Sequence, residues 1–566
     1  MFQRISRLLK KGVIKREGEI YPDEIFIDSE NLPEFDVDHF EGRLEQPVGK
    51  KVFAFIAIFF ALVGVLFAGK IWMLQIREGR AYEEMSANNH LKHTIIFADR
   101  GIIYDRNKKE LAWNIVDAAG GNFSLRRYAP QSGLAHILGY VSYPSKDKYG
   151  FYYDENFTGK DGVESYYNET LAGENGLKIT ETDVMGNVQS ESVLRPPRDG
   201  NNIYLSVDSR ISEKLYDFIK STAAEYDFAG GAGIILDVKT GEVLSLVSFP
   251  EFSSGVITDG EDKDAIRELL ANSDKPFLNR AIGGLYTPGS IVKPFIAVGA
   301  LEEGIIDPKK QILSTGQIEV PNPYNPEQKS VFKDWKAHGW VDMRQAIAVS
   351  SNVYFFSIGG GYENQKGLGI TKIAEYLEKF GLGNDTGIDL NGEQDGLVPT
   401  PEWKKNTFND DLWRLGDTYN TSIGQYGFQV TALQMARTVA SLANGGTLVT
   451  PTVLLRVSDK KGKELGFNPD NLKVAREGMR LSVTDGIASS LAIPGLSVAA
   501  KTGTAELGVT KERVNSWVTG FFPYENPRFS FAVVMEKGPR SNTIGATYVM
   551  RQLLDWMNVN TLEYAR

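Results

Sequence analysis

The chain has 566 residues, enough for two or three domains with cores of their own. Its formal net charge of −10 at pH 7 argues against a general nucleic-acid-binding protein, and a hydrophobic content of 42% is typical of globular proteins. The absence of cysteine from the sequence excludes disulfides, thiolate metal sites and a cysteine nucleophile.

The first 45 residues segregate their charges. Residues 1–16 carry six basic side chains and no acidic one, whereas residues 17–45 carry eleven acidic side chains and one arginine. Apolar residues recur at helical spacing in the basic part, which fits either an interfacial helix on anionic lipid or a disordered polar tail. The acidic part has no periodicity and predicts a disordered spacer. We therefore expect residues 1–51 to form a tail.

An uncharged apolar run extends from Val52 to Gly69. As a helix, it would be roughly 27 Å long, close to the thickness of a bilayer core. A buried helix of a soluble domain would have a polar face, and this run has none. The run also lies too far from Met1 for a cleaved signal peptide. Together with the apolar residues that follow, it predicts a single membrane span over residues 52–76. The basic first residues favour a cytoplasmic N-terminus.

Beyond the span, residues 77–205 predict a mixed α/β module without a reactive group of side chains. From residue 206 the pattern predicts a helix capped by Asp208 or Ser209, then a long helical middle between two hairpins. The expected strands are residues 233–238 and 242–248, residues 498–504, and residues 516–522 and 529–536, and a last helix runs from about 546 to 557. Residues 206–558 thus predict an α+β domain with an antiparallel sheet flanked by helices, and residues 559–566 a C-terminal tail.

Ser290 lies in a turn that leads into a predicted apolar helix. A serine and a lysine three positions apart share a helix face, so the Lys293 amine could take the proton of the Ser290 hydroxyl. Pro294 falls within the first helical turn, where a missing N–H donor costs little. The same spacing also occurs in polar segments, at Ser145, Ser330 and Ser458. By itself Ser290 is better explained as a plain helix N-cap, and a nucleophile requires further partners in the chain.

A serine nucleophile with a lysine base also requires a second proton shuttle and a cationic anchor for the substrate, and two further groups of residues are candidates for these roles. Ser350 and Asn352 follow a helical pattern, where the serine could relay a proton and the amide could hold Lys293 or a substrate carbonyl. On the predicted strand 498–504, an ammonium and two hydroxyls could bind a carboxylate, and a glycine permits close backbone approach. These residues are Lys501, Thr502, Gly503 and Thr504. The serine-x-asparagine pattern also occurs at Ser29 and Ser86, and Lys-Thr-Gly also occurs at Lys239, but these copies are less suitably placed.

In this order the three groups resemble the motifs of the penicillin-recognising serine acyltransferases. Further stretches narrow the resemblance to class B penicillin-binding proteins: the span, Arg100–Asn107, Gly162-x-Glu164, Leu171-x-Gly173 and His338–Val341. Residues 416–425 and 431–435 are most similar to the cell-elongation type. The resemblance implies a pedestal module at 77–205, a transpeptidase domain at 206–558, and a D,D-transpeptidase that cross-links peptidoglycan during elongation.

The resemblance also implies roles for the candidate residues. Ser290 would attack the penultimate D-alanine carbonyl of a stem peptide with Lys293 as its base, and the terminal D-alanine would leave. Ser350 and Asn352 would assist proton transfer and positioning. The oxyanion hole would be formed by the backbone N–H groups of Ser290 and Thr504, and the terminal carboxylate would be bound by Lys501, Thr502 and Thr504. An amine of a neighbouring stem would then resolve the acyl-enzyme.

The expected partners follow from the same resemblance. β-Lactams would acylate Ser290, and a membrane-embedded glycosyltransferase of the SEDS type, with other elongation-complex proteins, would contact the span and the 77–205 module. The chain would sit in the bacterial cell (inner) membrane with its catalytic domain outside the cytoplasm. No cofactor, metal site or nucleic acid is expected.

Alternative functions keep the same fold. A division-type transpeptidase of the same class would use the same residues, and a β-lactam sensor or D,D-carboxypeptidase would resolve the ester differently or not at all. A non-catalytic membrane-anchored scaffold belongs to another functional class, and the complete set of candidate residues argues against it.

Overall fold

The computed structural model describes residues 49–80, 91–182, 188–322, 325, 327–455 and 462–565. The chain divides into two compact units, Met1–His90 and Leu91–Arg566. The two interpretations of residues 1–16 and the spacer expected at residues 17–45 lie outside the described residues.

In the first unit, helix α1 extends over Lys50–Trp72 and continues as a π-helical turn over Met73–Arg77. The combined helix of 28 residues is long and apolar enough to cross a membrane. Within this unit none of its residues is buried. The helix predicted for the span is therefore confirmed, and it begins two residues earlier than expected.

The second unit begins with short strands and helices that span residues 91–205. Its strands are β1 Leu91–Ile96, β2 Ile103–Tyr104, β3 Glu110–Ile115, β4 Leu125–Tyr128, β5 Val141–Ser142, β6 Ser145–Lys146, β7 Tyr152–Asp154, β8 Thr158–Gly159, β9 Gly176–Thr182, β10 Val188–Arg195 and β11 Ile203–Tyr204. Its helices are α2 Ala135–Leu138, α3 Gly162–Tyr166 and α4 Asn168–Ala172. The larger sheets have the orders β1-β9-β10 and β11-β2-β3-β4.

A buried ion cluster holds this part together. The fully buried Glu164 accepts hydrogen bonds from Arg100 Nε at 2.5 Å and from Arg126 Nε at 2.8 Å. Burial opposes ionisation of Glu164, yet Arg126 and Arg100 outweigh it and lower the pKa of this carboxyl below its usual value. Glu164 therefore stays charged between the two guanidinium groups.

The remaining helices are α5 Ser209–Glu225, α6 Ser254–Asp259, α7 Lys263–Ala271, α8 Lys293–Glu302, α9 Met343–Ala348, α10 Asn352–Gly360, α11 Ile370–Lys379, α12 Pro401–Thr407, α13 Leu415–Ser422, α14 Ala432–Ala443, α15 Pro469–Thr484, α16 Ala546–Asn560 and α17 Leu562–Ala565. The remaining strands are β12 Gly230–Asp237, β13 Val243–Phe249, β14 Ile312–Ser314, β15 Gln317–Pro321, β16 Lys329–Lys333, β17 Gly339–Val341, β18 Thr447–Leu448, β19 Lys463–Glu464, β20 Ala499–Leu507, β21 Arg513–Phe522 and β22 Phe529–Pro539.

An antiparallel sheet of order β13-β12-β22-β21-β20 forms the centre of this part. Both predicted hairpins and the predicted strand near residue 500 are confirmed, and so is the α+β class. Neighbouring residues of β22 face opposite layers, because side chains alternate along a strand. Val533 packs with helices α5 and α16, and Val534 packs in the core that contains α8 and α14.

The last residues differ from the expected tail. Helix α16 continues to Asn560, and the short helix α17 follows it. Tyr564 is only 6% exposed, packs edge-on against Phe529, and donates a hydrogen bond of 3.0 Å to Asp208 Oδ2. One buried aromatic side chain therefore attaches the end of the chain to the N-cap of α5, a contact that no local pattern indicates.

Candidate active site

Ser290 lies on a 3₁₀ turn, Gly289–Val292, that runs directly into helix α8. Helix α8 is apolar on all sides and almost entirely buried, so its position is fixed by packing. Pro294 lies in its first turn, as predicted. Ser290 itself is half-buried and lines an open cleft of about 1350 Å³.

The loop after α13 packs against the Ser290 turn. Gly289 N donates a hydrogen bond of 2.9 Å to Gly424 O. A Cβ atom at Gly424 would lie 2.1 Å from Gly289 O, so only glycine allows this approach. Gln425 and Tyr426, which follow, line the cleft together with Asn420. The 416–425 stretch thus forms one wall of the cleft.

Strand β20 forms the opposite wall as the edge strand of the central sheet. A Cβ atom at Gly503 would lie 2.9 Å from both Ile291 Cγ2 and Pro288 O, so glycine lets the strand lie against the Ser290 turn. Opposite Gly503 in the register, Trp517 donates a hydrogen bond of 3.1 Å from Nε1 to Thr287 O. The sheet and the Ser290 segment are therefore joined by direct contacts.

The backbone of Thr504 faces the Ser290 turn. A Cβ atom at Gly289 would lie 3.0 Å from Thr504 O, which places this carbonyl on the outer side of β20. The N–H and C=O groups of one strand residue point to the same side. The Thr504 N–H group is therefore directed to the same side, towards the Ser290 turn.

Ser350 joins two buried lysines. Lys293 Nζ donates hydrogen bonds to Ser350 O at 2.8 Å, Ser350 Oγ at 3.3 Å and Asn352 Oδ1 at 2.7 Å. Lys501 Nζ donates to Ser350 Oγ at 2.8 Å and to Thr502 O at 2.8 Å. Among the described residues, none of the Lys293 hydrogen bonds goes to the Ser290 hydroxyl. A proton can therefore pass between the two amines through the Ser350 hydroxyl.

The surroundings favour the neutral form of these amines. Burial lowers the pKa of Lys293 to about 7, and the negative charge of Asp334 acts in the opposite direction. Burial, together with repulsion by Lys293, places the pKa of Lys501 well below its usual value. Both side chains are fully buried. Near neutral pH the pair therefore contains an amine that can accept a proton.

The structure brings together all eight candidate residues. Six of them line the cleft: Ser290, Ser350, Asn352, Thr502, Gly503 and Thr504. Lys293 and Lys501 lie buried beneath the cleft surface and connect to it through Ser350. In the described part of the chain, no group of three or more His, Asp or Glu side chains could hold a metal ion.

Some cleft residues were not named from sequence as site residues. Trp335 lines the cleft and is 55% exposed, and Tyr426 lines it next to Gln425. Asp334, next to Trp335, is buried beneath the Ser350 turn. The sequence around Asp334 has no turn or helix pattern that would single it out, because its contacts come from segments far away in the chain.

Two family models match the chain. Residues 231–555 match the family described as penicillin binding protein transpeptidase domain, and residues 122–205 match the penicillin-binding protein dimerisation domain.

Several relatives carry the name peptidoglycan D,D-transpeptidase MrdA, including proteins from Acinetobacter baumannii and Escherichia coli. The Acinetobacter baumannii protein is 33% identical over 449 residues, which cover 73% of this chain and 63% of that protein. The Escherichia coli K12 protein is 28% identical over 616 residues, which cover 90% of this chain and 94% of that protein. The chain thus spans less than two thirds of the first relative and nearly all of the second.

A solved complex of the penicillin-binding protein PBP2 with MreC from Helicobacter pylori has a similar fold. Its matching chain is 26% identical with a TM-score of 0.69, and the match covers 83% of this chain and 98% of that one.

Proposed function

The chain belongs to the penicillin-binding proteins, the family of serine-type peptidoglycan D,D-transpeptidases, and we propose that Ser290 is the nucleophile with which it cross-links stem peptides. One observation carries the proposal: Ser290 lines the same cleft as Ser350, whose hydroxyl bonds to both buried lysines. A serine nucleophile needs a base of suitable pKa, and the buried amine pair that connects to this cleft through Ser350 supplies one.

In the acylation step, Ser290 Oγ forms a bond to the penultimate D-alanine carbonyl, and its proton goes to the neutral amine of Lys293. The carbonyl oxygen develops negative charge, which the backbone N–H groups of Ser290 and Thr504 stabilise. The C–N bond to the terminal D-alanine then breaks, and the leaving amine takes a proton delivered through Ser350. The product is an ester on Ser290 and free D-alanine.

In the second step, the amine of a neighbouring stem peptide attacks the ester. Its C–N bond forms as it gives a proton to the amine pair, the bond from Ser290 Oγ to the carbonyl carbon breaks, and the amine pair returns a proton to Ser290 Oγ. Before acylation, Lys501, Thr502 and Thr504 hold the terminal carboxylate of the donor peptide, whose negative charge favours the protonated form of Lys501. This carboxylate leaves with the free D-alanine. Asn352 holds the Lys293 amine through the bond from Nζ to Oδ1.

The chain is membrane-anchored through α1. We place its N-terminus in the cytoplasm and residues 91–565 outside it, because peptidoglycan lies outside the membrane and residues 1–16 are basic. We assign residues 77–205 to a pedestal and 206–558 to the transpeptidase domain. Two features favour a role in elongation: the MrdA relatives and the 416–425 stretch in the cleft wall. A SEDS-type glycosyltransferase and other elongation-complex proteins are the partners that the family suggests.

The test is intact-protein mass spectrometry after incubation with a fluorescent penicillin. The wild-type chain should gain one adduct, and Ser290→Ala should gain none. Ser145→Ala is the matched control, because Ser145 also has a lysine three positions later but lies on strand β6. Equal labelling of Ser290→Ala and the wild type would reject the assignment.

A further inference from the structure

Asp334 has the position of an anchor beneath the active-site turn. It lies between strands β16 and β17, and its side chain is fully buried. Its Oδ2 atom accepts hydrogen bonds from Ser351 Oγ at 2.9 Å, Val353 N at 3.0 Å and Ser314 Oγ at 3.3 Å. Its Oδ1 atom accepts one from Trp335 N at 2.9 Å. Four donors therefore converge on one buried carboxylate.

Ser350 and Asn352 contact the buried lysines, and each is followed by a residue that Asp334 binds, Ser351 or Val353. Between the end of α9 and the start of α10, Ser350 has a φ of 59°, in the left-handed region. This conformation is unfavourable for a non-glycine residue, so the surroundings must hold it in place. In this conformation, the Ser350 carbonyl oxygen accepts the hydrogen bond of 2.8 Å from Lys293 Nζ. Asp334 fixes the chain directly after this strained residue.

The negative charge of Asp334 also acts on the Lys293 amine. Asp334 raises the pKa of Lys293 against the larger effect of burial. The other charged or titratable groups that face this cluster are Lys501, His338 and Lys336. His338 Nε2 is 3.7 Å from Asp334 Oδ1, and burial lowers the pKa of this imidazole, so it is neutral at pH 7. Among the described residues, Asp334 is thus the acidic group that acts on Lys293.

We propose that Asp334 is a positioning residue of the acylation step, whose buried carboxylate holds the Ser350–Asn352 turn in its strained form and carries the negative charge that acts on Lys293. The inference rests on the proposed function of Ser290. It assigns Asp334 no contact with the substrate, because the carboxylate acts through Ser351, Val353 and the field at Lys293.

The experiment measures the first-order rate constant of β-lactam adduct formation on the full chain as a function of pH. This rate constant describes only folded protein, since unfolded protein lowers the amplitude and not the rate. Asp334→Asn keeps the shape of the side chain and removes its charge. Its plateau rate should fall about tenfold, as expected for one hydrogen bond to a charged group. Its acid limb should move to lower pH, because Lys293 loses the charge that favours its protonation.

Two further variants separate geometry from charge. Ser351→Ala cuts one link to the turn and keeps the carboxylate, so its plateau should fall while its acid limb stays at the wild-type pH. Asp342→Asn is the matched control, because it removes the same charge from the N-cap of α9, where Asp342 bonds only to that helix. It should match the wild type in both measures.

The inference is overturned if Asp334→Asn keeps the wild-type plateau, or if its plateau falls and its acid limb does not move. It is also overturned if Ser351→Ala reacts at the wild-type rate. This second test can be made even if Asp334→Asn does not fold. A wild-type chain that forms no adduct would instead reject the proposed function itself. The two failures are therefore distinguishable.

Discussion

Lys501 Nζ donates a hydrogen bond of 2.8 Å to Ser350 Oγ, although 151 residues separate the two in the chain. The same hydroxyl lies 3.3 Å from Lys293 Nζ. A single hydroxyl thus connects the amine nearest the nucleophile in sequence with the amine on the edge strand. Because each contact crosses between different elements, small changes in packing should affect the chemistry more than they affect the fold.

Ser350→Ala should slow β-lactam adduct formation by about 10²-fold or more, the range expected for loss of a proton-transfer group. The alanine removes the hydroxyl that connects the two amines and leaves the carbonyl bond to Lys293 in place. Ser357→Ala is a suitable control, because Ser357 also lies on this segment but bonds to Val353 O inside helix α10. Mass spectrometry time courses should show a wild-type rate for the control, and a wild-type rate for Ser350→Ala would contradict the role.

The rate of adduct formation should rise as the pH rises through about 7 and then level off. Burial lowers the pKa of Lys293 to about 7, and only the neutral amine can accept the proton of Ser290. Lys293→Arg should be inactive throughout, because a guanidinium does not deprotonate in this range. Circular dichroism at each pH confirms that the fold is retained. A rate that is constant from about pH 6 to about pH 8.5 would exclude this base.

Gly503→Ala should lower the rate of adduct formation at least tenfold and the free energy of unfolding by about 1–3 kcal/mol. The new Cβ would lie 2.9 Å from Ile291 Cγ2 and Pro288 O, so β20 must move away from the Ser290 turn. Gly255→Ala is the control, since a Cβ there meets nothing within 4 Å. Thermal unfolding should show the control unchanged or slightly stabilised. If Gly503→Ala lost stability but formed the adduct at the wild-type rate, the close approach of β20 to the Ser290 turn would not be required for acylation.

Glu164→Gln should lower the free energy of unfolding by about 3–5 kcal/mol, because two buried guanidinium groups lose their counter-ion. The pKa of Glu164 lies below its usual 4.5 in the folded chain, so the stabilisation is complete above that pH and is lost as the pH falls through the folded value. The exposed Glu169→Gln should change stability by less than about 0.5 kcal/mol. Thermal unfolding near pH 7 compares the two variants, and an equal effect would show that the ion cluster does not stabilise the module.

Local structure followed from local pattern. The alternation of apolar residues predicted both hairpins and the strand near residue 500, and the uncharged run predicted helix α1. Helical spacing placed Ser290 and Lys293 at the start of a buried helix. In each case the information lies within about ten neighbouring residues, which is the distance over which backbone preference and side-chain alternation act. The end of the chain was predicted less well, because Tyr564 depends on Phe529 and Asp208, neither of which is near in sequence.

The sequence by itself determined which side chains were available: a serine, two lysines, a second serine and an amide in a recognisable order. Only the tertiary structure decided that Ser350, rather than Ser290, accepts the hydrogen bonds of both lysines, and that Asp334 lies beneath that turn. Desolvation and the Coulomb interaction depend on distance and on surrounding protein, not on position in the chain. The proton affinity of Lys293 is therefore a property of the packed site, and the strained backbone of Ser350 persists because the same packing holds it.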